Sequence, residues 1–271
     1  MNSLEKKLDK LKNILKGLDS VIVAFSGGVD SAFLLKTARD ALGERVIAVT
    51  ADSEIHPAFE LKDAKKLTRK LGVKHIVLTV KALSNPAFVK NPKNKCYICK
   101  KYLFSKLKKI AKEKGIHHIL EGSNYDDLGD FRPGMKALLE LDVKSPLLQA
   151  KLIKADIRKL SKKEGLPTWN KPSCACLASR IPYGAEITLA KLKRIEKSEE
   201  FLKSLGLKQV RVRNYDNLAR IEVLKKDMPL ILKEKIRTKI IEKLSKLGYH
   251  YITLDLEGYR TGSMNKNLGK G

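Results

Sequence analysis

The stretch VIVAFSGGVDSAFLLK, residues 21–36, joins a hydrophobic run to an apolar helical pattern through Ser26-Gly27-Gly28-Val29-Asp30-Ser31. The first part reads as a buried strand and the last as the start of a helix. Gly27 and Gly28 carry no Cβ, so the backbone there can turn tightly and come close to a ligand. Backbone N–H groups at a helix start, with the positive end of its dipole, favour an anion. Ser26 and Ser31 add hydroxyl donors. Asp30 is the odd member, because a carboxylate beside phosphate is repelled unless a cation lies between. It therefore reads as a Mg²⁺ ligand or orienter. An ordinary strand-to-helix turn is the plain alternative, but it does not call for this whole string. No GxxxxGK[ST] is present, so this is not the P-loop of ordinary ATPases.

Outward from this loop the pattern alternates. Strands are expected at 21–25, 46–51, 75–80 and 117–122, with helices at about 31–42, 57–72, 100–114 and 151–164. Short apolar strands alternating with helices imply a parallel sheet covered on both faces, with ligands at the carboxyl ends of the strands. The N-terminal segment places Leu4, Leu8, Leu11, Ile14, Leu15 and Leu18 on one face of an amphipathic helix. Near NKPSCACLASRIPYGAEIT the pattern changes. A helix at about 189–205, the alternating stretches QVRVRNY and ARIEVL, a helix at about 229–247 and the strand YHYITLDL follow. The expected architecture is α/β: a parallel-sheet domain over residues 1–172 and a smaller C-terminal α+β domain over 173–271.

The net charge is +26, from 56 basic and 30 acidic residues. A polyanionic partner such as tRNA or a phosphorylated substrate is one reading. A lysine-rich surface of thermophile type is the blander one, and it is preferred for most of this charge. No apolar run approaches the roughly 20 residues that span a bilayer. A cytoplasmic protein is expected.

The four cysteines form two tight pairs, Cys96 with Cys99 and Cys174 with Cys176. In a reducing compartment such spacing points to metal, cluster or sulfur chemistry rather than disulfides. A CxxC plus one distant cysteine can hold three irons of a cubane and leave the fourth open. Zinc held by all four, or small buried core thiols, are the alternatives. The five histidines form no zinc motif.

SGGVDS resembles the pyrophosphate loop of the PP-loop ATP pyrophosphatases. The resemblance implies an adenine-nucleotide α-hydrolase-like fold with a five-stranded parallel sheet, and cleavage of ATP to AMP and pyrophosphate with Mg²⁺. Further motifs narrow it: TADSEIHP (50–57), KNKCYICKKYLF (93–104), EGSNYDDLGDFRPG (121–134), KPSCACLASRIPYG (171–184) and GYRTGSMN (258–265). Together these look like the LarE sulfur insertases, which adenylate the carboxylates of pyridinium-3,5-biscarboxylic acid mononucleotide and replace oxygen with sulfur, a step in making the nickel-pincer nucleotide cofactor.

By that resemblance, Ser26, Gly27, Gly28, Asp30, Ser31, Asp52, Ser53 and Asn124 hold ATP. Ser179, Arg180, Arg211 and Arg213 hold the phosphate of substrate or AMP. Glu199 and Glu222 position them or act in the site. The preferred sulfur source is a [4Fe-4S] cluster on Cys96, Cys99 and Cys176, with Cys174 the alternative third ligand. Sacrificial loss of sulfur from Cys176 or Cys174 is the rival. In the stretch that also carries Arg132, Asn124 and the acids Asp126, Asp127 and Asp130 are read as Mg²⁺ or ribose contacts, or as turn residues. Tyr97 is read as stacking on a nucleotide ring or as core packing.

Partners expected are the small pyridinium nucleotide and a sulfide or sulfur donor, without nucleic acid or membrane, in a homo-oligomer. A tRNA-thiolating enzyme and a regulatory nucleotide-binding protein are the competing readings. The first is disfavoured by the lack of an added RNA-binding module. The second is disfavoured by the intact loop, Arg180 and the cysteines.

Overall fold

The structure is a computed structural model that describes residues 3–129 and 133–268. Asp130 and Arg132 lie outside the described residues. In chain order the elements are α1 (Ser3–Lys16), β1 (Val21–Ala24), α2 (Val29–Leu42), β2 (Val46–Asp52), α3 (Ala58–Lys70), β3 (Lys74–Thr79), α4 (Pro86–Val89), α5 (Lys95–Glu113) and β4 (His118–Leu120). There follow α6 (Gly134–Glu140), α7 (Pro146–Gln149), α8 (Lys154–Lys163), α9 (Leu189–Ser204), β5 (Val210–Tyr215), β6 (Leu218–Val223), α10 (Met228–Leu232), α11 (Glu234–Lys246) and β7 (Tyr251–Leu254). Among the described residues no helix is long and apolar enough to cross a membrane.

The chain divides into two compact units. The first comprises Met1–Ser53, Ala58–Val80 and Asn94–Cys174, and the second Glu54–Pro57, Lys81–Lys93 and Ala175–Gly271. Each is therefore built from more than one stretch of chain. Two short excursions, after β2 and after β3, belong with the C-terminal residues.

The first unit is a parallel sheet in the order β3-β2-β1-β4. Side chains of a strand alternate between faces. Val21 and Val23 accordingly pack with Leu11 and Leu15 of α1, Phe33 and Leu34 of α2, and Ile157 and Leu160 of α8. Ile22 packs on the other side with Ile47, Ile119, and Phe104 and Leu107 of α5. This two-sided burial is why β1 reads as a continuous apolar run. Leu4, Leu8, Leu11, Ile14 and Leu15 of α1 and Leu18 just beyond it all meet the first of these clusters, Leu11 and Leu15 being fully buried.

The sheet has four strands where the resemblance implies five. Lys144 bridges Leu120 in parallel fashion as an isolated pair, at the place where a further strand would add. The order 3-2-1-4 puts the reversal of winding between β1 and β4. The loops leaving these two strands thus share one end of the sheet, the place where open α/β sheets bind ligands.

The second unit holds a three-stranded sheet in the order β5-β6-β7, with β5 antiparallel and β7 parallel to β6. Val210, Val212, Ile221 and Val223 face a core shared with Leu202 of α9 and Ile240 and Leu244 of α11. The residues alternating with them, Arg211, Arg213 and Glu222, turn to the opposite face.

Replacing Leu15 by Ala should cost about 2–5 kcal/mol, because a fully buried Leu leaves a cavity between α1 and the sheet. Urea unfolding of Leu15→Ala against the wild type checks this.

Candidate functional site

In the first unit the site starts where β1 stops. Phe25 N donates to Val49 O at 2.8 Å, and the chain then turns through Gly27 at φ +70°. A positive φ of this kind is cheap only for glycine. Gly28 is the N-cap of α2 and, lacking a side chain, makes no cap bond, while its own N–H donates to Ser26 Oγ at 3.4 Å. Ser26 and Ser31 lock the turn: their hydroxyl oxygens lie 3.1 Å apart, Ser26 N donates to Ser31 Oγ at 3.3 Å, and Ser31 Oγ donates to Gly28 O at 3.3 Å. The loop after β4 presses against this turn. A Cβ on Gly122 would sit 3.0 Å from Ser31 N.

Asp30 forms an ion pair with Lys154, the first residue of α8, and accepts a bond from Asn124 Nδ2 at 3.4 Å. Lys171 donates to Gly27 O at 3.2 Å and to Asp63 Oδ2 at 2.8 Å. Two ammonium groups thus reach the phosphate loop from outside it. Sequence reading missed both, since Lys154 stood among helix-face lysines and Lys171 in a loop quoted for its cysteines. Lys171 opens a quoted motif, and nothing in the sequence pointed to Lys154.

Asn124 is drawn to Asp30. Asp126 and Asp127 hold local structure instead: Asp126 Oδ2 accepts from Lys154 N at 2.8 Å, and Asp127 Oδ2 from Asn124 N at 3.0 Å. The buried Glu121 receives Ser123 N and Ser123 Oγ, both at 2.9 Å, and so shapes the same loop. Asp52 is exposed at the end of β2, followed by the half-buried Ser53.

Cys96 and Cys99 lie on the first turn of α5, one turn apart, and Cys174 is the last residue of the first unit. Cys96 is exposed and the other three cysteines are partly buried thiols. Among the described residues no three His, Cys, Asp or Glu side chains gather as a metal site. Tyr97 Oη donates to Glu140 Oε2 at 2.8 Å on the surface between α5 and α6, rather than packing into the core.

In the second unit the sulfur-bearing loop rests on buried ion pairs. Cys176 precedes the short turn Leu177–Arg180. Arg180 is fully buried, and its Nε and Nη2 bind the two oxygens of Glu199 on α9 at 2.8 and 3.0 Å. Its Nη1 donates to Ala175 O at 2.6 Å, Cys176 O at 2.9 Å and Ser179 Oγ at 2.9 Å. Glu199 also accepts from Val212 N at 3.1 Å. Arg213 repeats the motif, with Nε and Nη2 on Glu222 at 2.9 and 2.6 Å and Nη1 on Ser179 O at 3.1 Å. Arg211 lies over the Tyr259 ring at 5.3 Å.

Arg180, with no exposed surface, and Arg213 both grip carboxylates and loop carbonyls. Alternation explains why Arg211 and Arg213 share a face, but the partner carboxylates come from α9 and β6.

Two outside segments brace the loop further. Leu177 N donates to Ile55 O at 2.8 Å. The fully buried Asn91, at φ +53°, donates from Nδ2 to Pro182 O at 2.6 Å and Ala185 O at 2.9 Å.

Burial alone would raise the pKa of Glu199, but the Arg180 guanidinium and the hydrogen bonds to it outweigh burial and hold the carboxyl below the ordinary value of 4.5. The same balance, with Arg213 and Ser263 against burial, lowers Glu222.

The family described as queuosine biosynthesis protein QueC matches residues 20–96, the part that carries the phosphate loop. An uncharacterised protein of Synechocystis sp. is 40% identical over 98% of this chain and 100% of its own length. The pyridinium-3,5-bisthiocarboxylic acid mononucleotide synthase of Lactiplantibacillus plantarum is 38% identical over 100% of this chain and 98% of its own length. A GMP synthase of Aeropyrum pernix is 26% identical over 67% of this chain and 39% of its own length.

A carboxyl lowered by folding adds stability above its unfolded pKa, and that stability is lost as pH falls through the folded value. Wild-type stability should therefore drop below about pH 4.5. Glu199→Gln leaves a buried guanidinium without its counter-charge, so it should cost about 3–5 kcal/mol at pH 7 and flatten the acid dependence. Urea unfolding between pH 3 and 7 reads both effects.

Proposed function

Because the chain belongs to the LarE family of pyridinium-3,5-bisthiocarboxylic acid mononucleotide synthases, we propose that it uses ATP to insert sulfur into the carboxylates of pyridinium-3,5-biscarboxylic acid mononucleotide. The observation that carries this is 38% identity to that synthase over the whole chain, together with a glycine turn that opens directly into α2. A substrate carboxylate oxygen attacks the α-phosphorus of ATP, and pyrophosphate leaves. A sulfur nucleophile then attacks the acyl carbon, and AMP departs with the original oxygen.

Ser26, Gly27, Gly28 and Ser31 form the phosphate cradle. Lys154 and Lys171 supply positive charge beside it, which offsets the charge on the pyrophosphate leaving group. Asp30 is a hard oxygen donor suited to Mg²⁺, an ion often held by one or two carboxylates plus the nucleotide's phosphates. Lys154 neutralises Asp30 in the absence of the ion. Asp52, Ser53 and Asn124 complete the nucleotide site in this reading.

The sulfur is proposed to come from the cysteine motifs. The donor chemistry fits a [4Fe-4S] cluster, since thiolates are present in number and Cys96 and Cys99 are one turn apart. The geometry is less complete, because no three such ligands gather among the described residues. Cys96, Cys99 and Cys176 would be its ligands, with Cys174 the alternative third, and the cluster when bound would supply sulfide. Arg180, Arg213, Glu199 and Glu222 hold the loop that presents Cys176. Partly buried thiols of this spacing suit a reducing cytoplasm. A homo-oligomer belongs to the same reading, and light scattering reads it.

With ATP, Mg²⁺ and the biscarboxylate nucleotide, the protein should form AMP and pyrophosphate and no ADP. Lys154→Ala should raise the KM for ATP about ten-fold, the worth of one charge-assisted hydrogen bond. ADP as product would sink the proposal. Anaerobic purification with iron and sulfide assays separates the sulfur sources. About four irons per chain, lost in Cys96→Ser, support the cluster. A metal-free protein whose Cys176 peptide loses H₂S on turnover makes the cysteine itself the donor.

A further inference from the structure

The segment GYRTGSMN at 258–265 is left without a role by phosphate binding or sulfur supply, yet it reaches the buried arginine layer at several points. It turns back onto β6 at Gly258, φ +72°, where a Cβ would meet Val223 O at 2.8 Å. Tyr259 N then donates to Val223 O at 2.7 Å. The Tyr259 ring lies over Arg211 at 5.3 Å. Ser263 Oγ accepts from Arg213 Nη2 at 2.8 Å and donates to Glu222 Oε1 at 2.8 Å. Met264 Sδ receives Arg220 Nη2 at 3.7 Å.

We propose that this segment is a clasp for the sulfur-bearing loop and that Ser263 is its positioning residue. The proposal rests on the reading that the loop of Cys176 delivers sulfur. Two links run from clasp to loop. In the first, Ser263 bridges both members of the Arg213–Glu222 pair, and Arg213 Nη1 donates to Ser179 O at 3.1 Å. In the second, Tyr183 Oη, on the far side of the same loop, donates to Asn265 Oδ1 at 3.1 Å.

The bridge needs a hydroxyl. Glu222 Oε1 already receives Arg213 Nε at 2.9 Å and Arg220 Nη2 at 3.2 Å, so a third donor completes its set. Arg213 Nη2 has one N–H on Glu222 Oε2 and presents the other to Ser263. Only a group that both donates and accepts fits between them. Glu222 is fully buried, where a half-satisfied network leaves the guanidinium free to shift. Arg213 then holds Ser179 O less firmly, and the register of the loop from Cys176 onward loosens.

The test compares Ser263→Ala with Ser263→Thr, which keeps the hydroxyl, in the full-length protein. Hydrogen–deuterium exchange of the peptide spanning residues 175–183 reads the clasp without reference to any activity. In Ser263→Ala it should exchange at least about five-fold faster, and Ser263→Thr should restore it. First-turnover pyrophosphate release should stay within about two-fold, while sulfur insertion falls about ten-fold or more, because misplacing a reacting group costs rate without touching the other step. Asn265→Ala, which cuts the second link, should show the same pattern more weakly and stands in if Ser263→Ala does not fold. Unchanged exchange at 175–183, or equal loss of first-turnover pyrophosphate release and sulfur insertion, overturns the proposal. If the wild type inserts no sulfur, the functional reading fails, and the exchange experiment still decides the clasp.

Discussion

A guanidinium with no exposure to water must find an acceptor for each N–H, and Arg180 does so by drawing four pieces of chain together. Glu199 of α9 takes its fork, the carbonyls of Ala175 and Cys176 and the hydroxyl of Ser179 take Nη1, and Glu199 in turn takes the amide of Val212 in β5. A buried pair of this kind contributes little net stability over apolar packing. Its effect is geometric. The backbone on either side of the cysteine loop cannot drift without leaving a buried charge unpaired, so the loop is held by the strictest constraint available in a dry interior. Arg213 and Glu222 repeat the device one strand over.

The phosphate loop is organised by the opposite means, the absence of side chains. Gly27 lets the chain turn, Gly28 leaves the start of α2 without a side-chain cap, and Gly122 lets the neighbouring loop come close. Anion affinity there comes from backbone N–H groups and the helix dipole. The two lysines that approach it are adjustable charges on flexible stems, one resting on Asp30 and one on a loop carbonyl. The two units thus hold their loops by different physics: an open turn with movable cations in the first, and a sealed layer of bidentate pairs in the second.

That division also separates what the arginines do from what their residue type suggests. Arginine forks match phosphates and carboxylates alike. In this fold the carboxylates are supplied by the protein, and the lysines are the cations that reach the phosphate loop.

The sequence by itself determined the parallel sheet, its loop and its helix faces. Strand and helix periodicities are local, and a buried parallel strand can only read as an unbroken apolar run, as 21–25 does. The loop was legible because Ser-Gly-Gly and Asp must be contiguous to make the turn. The same holds for the alternation of Arg211 and Arg213. What only the tertiary structure decided is pairing over distance. No pattern announces that Glu199 takes Arg180, that Lys154 takes Asp30 across 124 residues, or that Asn91 braces a loop 90 residues on. Nor does one show that residues 54–57 and 81–93 belong with the C-terminal unit. Such partners are chosen by burial. A charge or amide removed from water must be satisfied by whatever the fold brings within about 3 Å, and that choice is made by packing, not by neighbours in the chain.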